Sequence, residues 1–269
     1  MTSKFIGSAG LRRGYRGAVG LLALFGIAQL VLWASHVNPA IFPLPSAVLV
    51  NAVQLATNSS FIASIGSTMA AWAVAMVIAV VIAVPAGLLL GTLRRTERVL
   101  TPLIEFLRPF PAVVLIPLVL LAVQDDTKTE VLIIVYAAVW PVLINTIYGV
   151  QGVNQLAKDT LRSFGFGQLS IARRVSLPSA APFAATGVRI AASIAFVVAV
   201  AVELVGTGMS GIGAFTLTEE GSASGIAILI AVAIWSGLIG LAINAVFAGA
   251  ERLAFRWHFA LAATSRGQS

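Results

Sequence analysis

Residues 61–91, FIASIGSTMAAWAVAMVIAVVIAVPAGLLLG, contain no charged side chain. A bilayer core of about 30 Å is crossed by about 20 apolar residues in a helix, so this run can cross with tilt or begin outside the hydrocarbon. Comparable apolar segments lie near 18–35, 99–123, 131–150, 183–205 and 225–248. The expected architecture is therefore all-α and polytopic, with about six transmembrane helices and both ends of the chain on one side.

Composition supports the same class. Of the 269 residues, 59% are hydrophobic and 10% charged, and the mean hydropathy is +0.98. A soluble domain carries about 25% charge, and a chain of this length cannot hide so much apolar surface in a wetted fold. The net charge of +7 does not signal nucleic acid, because the cations are scattered between apolar runs and form no basic face. With no cysteine and only His36 and His258, thiol chemistry and disulfides are excluded and a zinc site is not expected.

Orientation follows from the placement of Lys and Arg, which are retained on the cytoplasmic side during insertion. The N-terminal tail has Lys4, Arg12, Arg13 and Arg16; the 92–98 link has Arg94, Arg95 and Arg98; the 151–182 link has Lys158, Arg162, Arg173 and Arg174; the C-terminal tail has Arg252, Arg256 and Arg266. The links on the other side hold only Lys128, with Asp125, Asp126, Glu130, Glu219 and Glu220. Both termini are expected in the cytoplasm. The apolar stretch from Ala18 to Ala34 outruns a secretory h-region of about 7–15 residues, so it is read as an uncleaved first span. In the following segment, Pro39, Pro43 and Pro45 precede Ser46, which is placed to cap a short helix through Ala56 lying along the outer surface. Asn58-Ser59-Ser60 fits a glycosylation acceptor, a pattern short enough to arise by chance.

No internal repeat or low-complexity linker divides residues 1–269, which read as one membrane domain. No lysine completes a phosphate-cradling Gly-x-x-x-x-Gly-Lys-Ser/Thr loop. Asp125-Asp126 and Glu219-Glu220 read as solvated loop acids; no catalytic, cofactor or metal site is assigned.

The 151–182 link is the distinctive soluble part. Leu156, Thr160, Leu161 and Phe164 recur at helical spacing beside Lys158, Asp159 and Arg162, which predicts an amphipathic helix over 155–164 outside the bilayer. Gly165 interrupts it, and a second short helix is expected from Gln168 to Ser176, ending at Leu177-Pro178. The two make an elbow with an apolar side open to a partner; the plainer reading rests the segment on lipid headgroups.

Asp159-Thr160-Leu161, Gly165 and Val175-Ser176-Leu177-Pro178 have the spacing of Glu-Ala-Ala-x3-Gly-x9-Ile-x-Leu-Pro, and the segment resembles the EAA loop of ABC-importer permeases. The resemblance spans about 43–250. Arg108-Pro109-Phe110-Pro111 with Ile116-Pro117-Leu118, Trp140-Pro141 with Asn145-Thr146 and Gly149, and Gly187-Val188-Arg189-Ile190-Ala191 with Glu203 and Gly211-Ile212-Gly213 are similar to motifs of the nitrate/sulfonate/taurine branch. The chain departs from that pattern at Asp159-Thr160-Leu161 and at Ala122-Val123-Gln124-Asp125, where the branch has Phe-Gly-Leu-Gly.

The resemblance implies a type I importer permease in a bacterial plasma membrane. It implies a second permease copy, in a homodimer, two separate ATPase subunits holding ATP and magnesium, and an extracytoplasmic solute-binding protein. It assigns ATPase coupling to residues 155–178, notably Asp159, Thr160, Leu161, Arg162, Phe164, Gly165, Leu177 and Pro178. The solute implied is a small anion such as a sulfonate, taurine or nitrate; alternatives are a heterocyclic vitamin precursor or, outside the class, a self-sufficient secondary transporter.

Charged groups within spans are costly and commonly functional. Glu105 and Arg108 are spaced to pair on one helix; alternatively Arg108, with Pro109 and Pro111 breaking the helix, forms a gate or stop for an anion. Asn145, Arg189 and Glu203 complete the candidate path. Arg189 suits an anchor at its span's cytoplasmic end, and Glu203, about 21 Å further along at about 1.5 Å per residue, belongs near the outer mouth. Gly66, Gly87, Gly91, Gly187, Gly237 and Gly240 suggest close helix packing. Trp72, Trp140 and Trp235 fall inside spans, where core packing is their expected role, and Trp33 and Trp257 near span ends.

Overall fold

The computed structural model describes residues 19–20, 22–35, 38–39, 41–153, 155–206, 210–219 and 225–256. His36, Glu220, Trp257, His258 and the tail cations Lys4, Arg12, Arg13, Arg16 and Arg266 lie outside them. Among the described residues all regular structure is helical. In chain order the helices are α1 Leu22–Ala34, α2 Pro45–Leu55, α3 Ser59–Thr92, α4 Arg94–Leu107, α5 Ile116–Val123, α6 Asp126–Gln151, α7 Gln155–Ser163, α8 Gln168–Ile171, α9 Leu177–Val205, α10 Ile212–Glu219 and α11 Gly225–Ala254. A 3-10 turn, Ala112–Leu115, precedes α5, and a π turn, Ala172–Ser176, precedes α9.

Among the described residues four helices are long and apolar enough to cross a membrane: α3, α6, α9 with its preceding π turn, and α11. A fifth span arises if Thr96–Leu107 and Ala112–Val123, bent by 83°, are taken together. The segment expected as the first span forms the shorter apolar helix α1. The bend falls at Arg108-Pro109-Phe110-Pro111, where neither proline can donate a helical hydrogen bond. Pro111 would otherwise serve the Leu107 carbonyl, which instead accepts from Tyr136 Oη at 2.6 Å and from the Phe110 N–H at 3.2 Å.

The chain forms two compact units, Met1–Ile62 with Thr216–Trp235, and Ala63–Phe215 with Ser236–Ser269. In the first, Ser46 does not cap α2. Leu44 occupies the N-cap without a side-chain bond, and Pro45, with its fixed φ, opens the helix. Ser46 instead exchanges two hydrogen bonds with Gln29 of α1, at 3.1 and 3.2 Å. Asn58 is a helix cap, its Oδ1 accepting the Phe61 N–H at 3.0 Å. Trp235 Nε1 donates to the Ala52 carbonyl at 2.8 Å and packs edge-on against Phe61.

The second unit is organised around α6 and α9, packed along much of their length. Between helices in lipid the hydrophobic effect supplies little, so close dispersion contact and small residues carry the packing. A Cβ on Gly187 would lie 2.8 Å from Asn145 Cβ and from the Pro141 carbonyl. Gly87 and Gly91 of α3 are similarly tight, 2.7 Å from the Cβ atoms of Thr146 and Val150. Gly66 and Gly237, expected at close contacts, meet no described atom within 4 Å. Ile116, Ile133 and Val202 form a buried cluster that holds the bent 112–123 segment on α6 and α9.

Candidate functional site

The proline break, α6 and α9 together line a cavity of about 380 Å³ whose walls include Arg108, Phe110, Tyr136, Trp140, Asn145 and Ile190. Each polar wall has a local origin. Arg108 is an exposed residue ending α4 just before Pro109. Tyr136 is held by its bond to Leu107, and Trp140, one turn on, stacks edge-on against it at 5.7 Å. Asn145 Nδ2 donates to the Pro141 carbonyl at 2.8 Å, which leaves its amide oxygen as an acceptor. Pro141 has no N–H for the Ala137 carbonyl, and Ala137 also lines the cavity. Arg108 is the one charged side chain among these walls. A guanidinium offers five donors in a fork that suits a planar oxyanion.

The sequence candidates for the path do not all converge here. Arg108 and Asn145 line the cavity, and Pro109 and Pro111 shape it. Glu105 is exposed on α4, and among the described residues it forms no ion pair with Arg108. Arg189 is engaged elsewhere: its Nη1 lies 3.2 Å from Glu251 Oε2 on α11, and Thr186 Oγ1 donates to Oε1 of the same carboxylate. Glu203 is fully buried at the far end of α9, where its Oε2 accepts the Gly213 N–H at 2.8 Å.

Sequence reading missed Tyr136 as a wall, Glu251 as the partner of Arg189, and Glu130 and Thr68 as buried polar groups. Tyr136 and Trp140 fall one turn apart on α6, a spacing that marks a shared face. The apolar run starts at Val131, which reads Glu130 as loop, but α6 starts at Asp126. Asp125 is its N-cap, accepting the Lys128 N–H at 2.9 Å. That backbone bond, followed by the Lys128 ammonium 3.1 Å away, holds the Asp125 carboxyl below the usual range.

The 155–178 segment has one break, not two. Helix α7 ends in a Schellman motif: the Gly165 N–H bonds to the Arg162 carbonyl at 2.9 Å and the Phe166 N–H to the Leu161 carbonyl at 3.0 Å. Gly165 sits at φ +79°, where a side chain would be strained. The second short helix does not stop at Leu177-Pro178. Pro178 cannot serve the Arg174 carbonyl, and the chain widens into the π turn, with Leu177 N–H bonded to the Ala172 carbonyl, before running on as α9. Asp159 pairs with Arg162 at 2.8 Å, Arg174 covers the Phe166 ring at 4.7 Å, and Leu156 and Phe164 are more than 70% exposed. Arg162 therefore faces Asp159 on its own helix, and the apolar projections are Leu156 and Phe164.

Residues 80–253 match the family described as binding-protein-dependent transport system inner membrane component. The nitrate import permease protein of Leptolyngbya laminosa is 29% identical over 245 residues, covering 88% of this chain and 86% of the relative. The bicarbonate transport system permease protein of Synechococcus elongatus is 31% identical over 170 residues, 63% of this chain; the match spans 61% of that relative's length. A crystal structure of an amino acid ABC transporter with histidines has the same fold, with a TM-score of 0.56 at 18% identity over 76% of this chain and 96% of that chain.

Proposed function

Because the chain belongs to the family of inner membrane components of binding-protein-dependent transport systems, we propose that it is the permease subunit of an ABC importer for a small oxyanion. The family is one of transport components, so this is a multi-pass membrane subunit and not an enzyme. The observation that carries the choice of solute is the Arg108 cavity at the proline break, with its single charge and the Asn145 amide. Nitrate and bicarbonate, named in two relatives, are both small, planar and singly charged, and a guanidinium meets either with paired hydrogen bonds.

In this reading an extracytoplasmic binding protein delivers the anion and two copies of the chain enclose the path. Separate ATPase subunits bind ATP and magnesium and press on residues 155–178. Phe164 and Leu156 supply apolar anchors for that contact, and the Gly165 turn fixes the angle at which α7 leaves α8. The continuous helix from the π turn into α9 supports transfer of that push from the C-terminal side of the Gly165 turn into the span. The departure at Asp159 is accommodated by its pairing with Arg162.

Reconstituted with its ATPase and binding protein, the chain is expected to take up labelled nitrate or bicarbonate only with ATP. Losing a charge-assisted hydrogen bond costs about 1.5–3 kcal/mol, so Arg108→Gln is expected to cut uptake about 10- to 100-fold, with Arg108→Lys intermediate. Uptake that continues without ATP would establish a self-sufficient carrier. Full activity in Arg108→Gln would remove the anion assignment and favour a heterocycle stacked on Tyr136 and Trp140.

A further inference from the structure

Helix α4 is uncovered on two opposite faces. Val99, Leu103 and Phe106, spaced four and three apart, form one, and each is more than half exposed. Glu97, Thr101, Glu105 and Arg108, spaced four, four and three apart, form the other. Glu97 and Thr101 are partly exposed, and Glu105 and Arg108 are exposed, Arg108 still holding helical backbone geometry as the C-cap. This polar face is hollow as well: Glu97 and Thr101 border a cavity of about 280 Å³, and Arg108 opens on the cavity of about 380 Å³ described above.

The apolar face suits lipid; the polar face at this depth does not. The cavity walls Tyr136 to Asn145 and Ile190 to Val198 fall midway along helices of 26 and 29 residues, so Arg108 stands at mid-height of the spans. Charged groups there face water or protein. Nor do Glu105 and Arg108 satisfy each other. Asp125 with Lys128 and Asp159 with Arg162 have the same three-residue spacing and close at 3.1 and 2.8 Å, whereas Glu105 and Arg108 stay open, and among the described residues neither has an ion-pair partner. The face thus offers one acid and one base a turn apart. Such a patch is its own complement under a twofold axis, because the acid of each copy meets the base of the other.

We infer that the polar face of α4 packs on the same face of a second copy, with the Glu105 carboxylate of each bridging to Arg108 of the partner subunit, a contact that rests on the permease reading above and its two copies. Two intersubunit ion pairs then close the anion cavities while they are empty. Glu105 competes with the anion, since both present oxygens to one guanidinium fork. An arriving anion frees Glu105, and the seam between the copies loosens where solute must pass. Glu105 therefore sets how tightly the anion is held without touching it.

The absence of cysteine from the chain makes the seam directly testable in the complete complex with its ATPase. Two differently tagged copies, one carrying Glu105→Cys and the other Arg108→Cys, should be joined by a short bismaleimide. Copies carrying Val99→Cys and Leu103→Cys, on the opposite face, should not. Neither readout needs transport. In uptake assays Glu105→Gln should lower the KM for nitrate about 3- to 10-fold, because the competing carboxylate is gone; simple damage to packing would raise it. A missing link between positions 105 and 108, or one that forms instead through Val99→Cys and Leu103→Cys, overturns the inference. So does a KM in Glu105→Gln equal to or above that of wild type, or uptake lost altogether in that variant. ATP-driven uptake by wild type and its loss in Arg108→Gln would stand under each of these results, so the permease reading and the seam fail separately.

Discussion

Helix α9 meets a buried carboxylate near each end, and the two are satisfied in opposite ways. On the side of the 155–178 segment, Glu251 of α11 faces Arg189 and the Thr186 hydroxyl, so a buried negative charge has a positive partner. At the other end Glu203 has no cation among the described ion pairs, and two backbone N–H groups from 211–213 are bound by Glu203 and by Thr68 of α3. The first arrangement joins two helices by charge. The second seats a loop by hydrogen bonds that depend on close backbone approach. A cation tolerates small shifts of its partner; a backbone lying on a carboxyl does not, so the two ends should differ most sharply in their response to added volume.

The largest effect is expected at Gly211. Its φ of +140° is one that side chains rarely adopt, and a Cβ there would lie 2.1 to 2.5 Å from the Glu203 carboxyl atoms. Strain of about 1–3 kcal/mol adds to an overlap of about the same size, so Gly211→Ala should lose about 3 kcal/mol or more. The thermal midpoint in detergent reads the loss, and truncation in Gly211→Ala/Glu203→Ala should recover part of it. A midpoint equal to wild type in Gly211→Ala would break the contrast, by showing that the loop is not seated on the acid.

The charge-paired end should lose less. Arg189 is about one-third exposed on its side chain and Glu251 8%, so water screens part of the pair and the full cost of a broken buried bridge, about 3–5 kcal/mol, is not reached. Arg189→Met should cost about 1–3 kcal/mol. The double variant Arg189→Met/Glu251→Met should regain much of this, because no charge is then left unpartnered. A double-variant cycle on unfolding measures the coupling. Additive losses would show that Arg189 and Glu251 do not act as a pair.

The two ends were not equally legible in the sequence. The apolar runs and the Arg108-Pro109-Phe110-Pro111 break identify a helical membrane chain, and proline's missing N–H explains the bend directly. Gly165 was readable because a left-handed helix end has a strong glycine preference. Arg189 could be read as an anchor, but not its partner, because Glu251 lies 62 positions away and helix packing brings them together. Glu130 was hidden for a different reason. Hydropathy marks where apolar character starts, not where a helix starts, and a capped first turn of Asp126, Thr127, Lys128 and Thr129 looks like loop. The continuation through Leu177-Pro178 is not legible in the sequence, because proline at the first turns of a helix is tolerated and a π turn absorbs the missing bond.

Asp125 sharpens the comparison from the exposed side, with the smallest expected effect, because it is the wetted acid at the start of the helix that buries Glu130. Its carboxyl is held below the usual range first by the Lys128 N–H and then by the Lys128 side chain. A group whose folded value is depressed contributes stability above its unfolded value, and the contribution is lost as pH falls through the folded value. Asp125→Asn keeps a cap of similar quality but carries no charge. The midpoint gap between wild type and Asp125→Asn should therefore be small at neutral pH, close on acidification below the ordinary carboxylate range, and shrink in high salt because Lys128 is 72% exposed. A gap that widens on acidification would show that the contribution of Asp125 does not come from its charge, and would remove the contrast between this wetted cap and the acids buried further in.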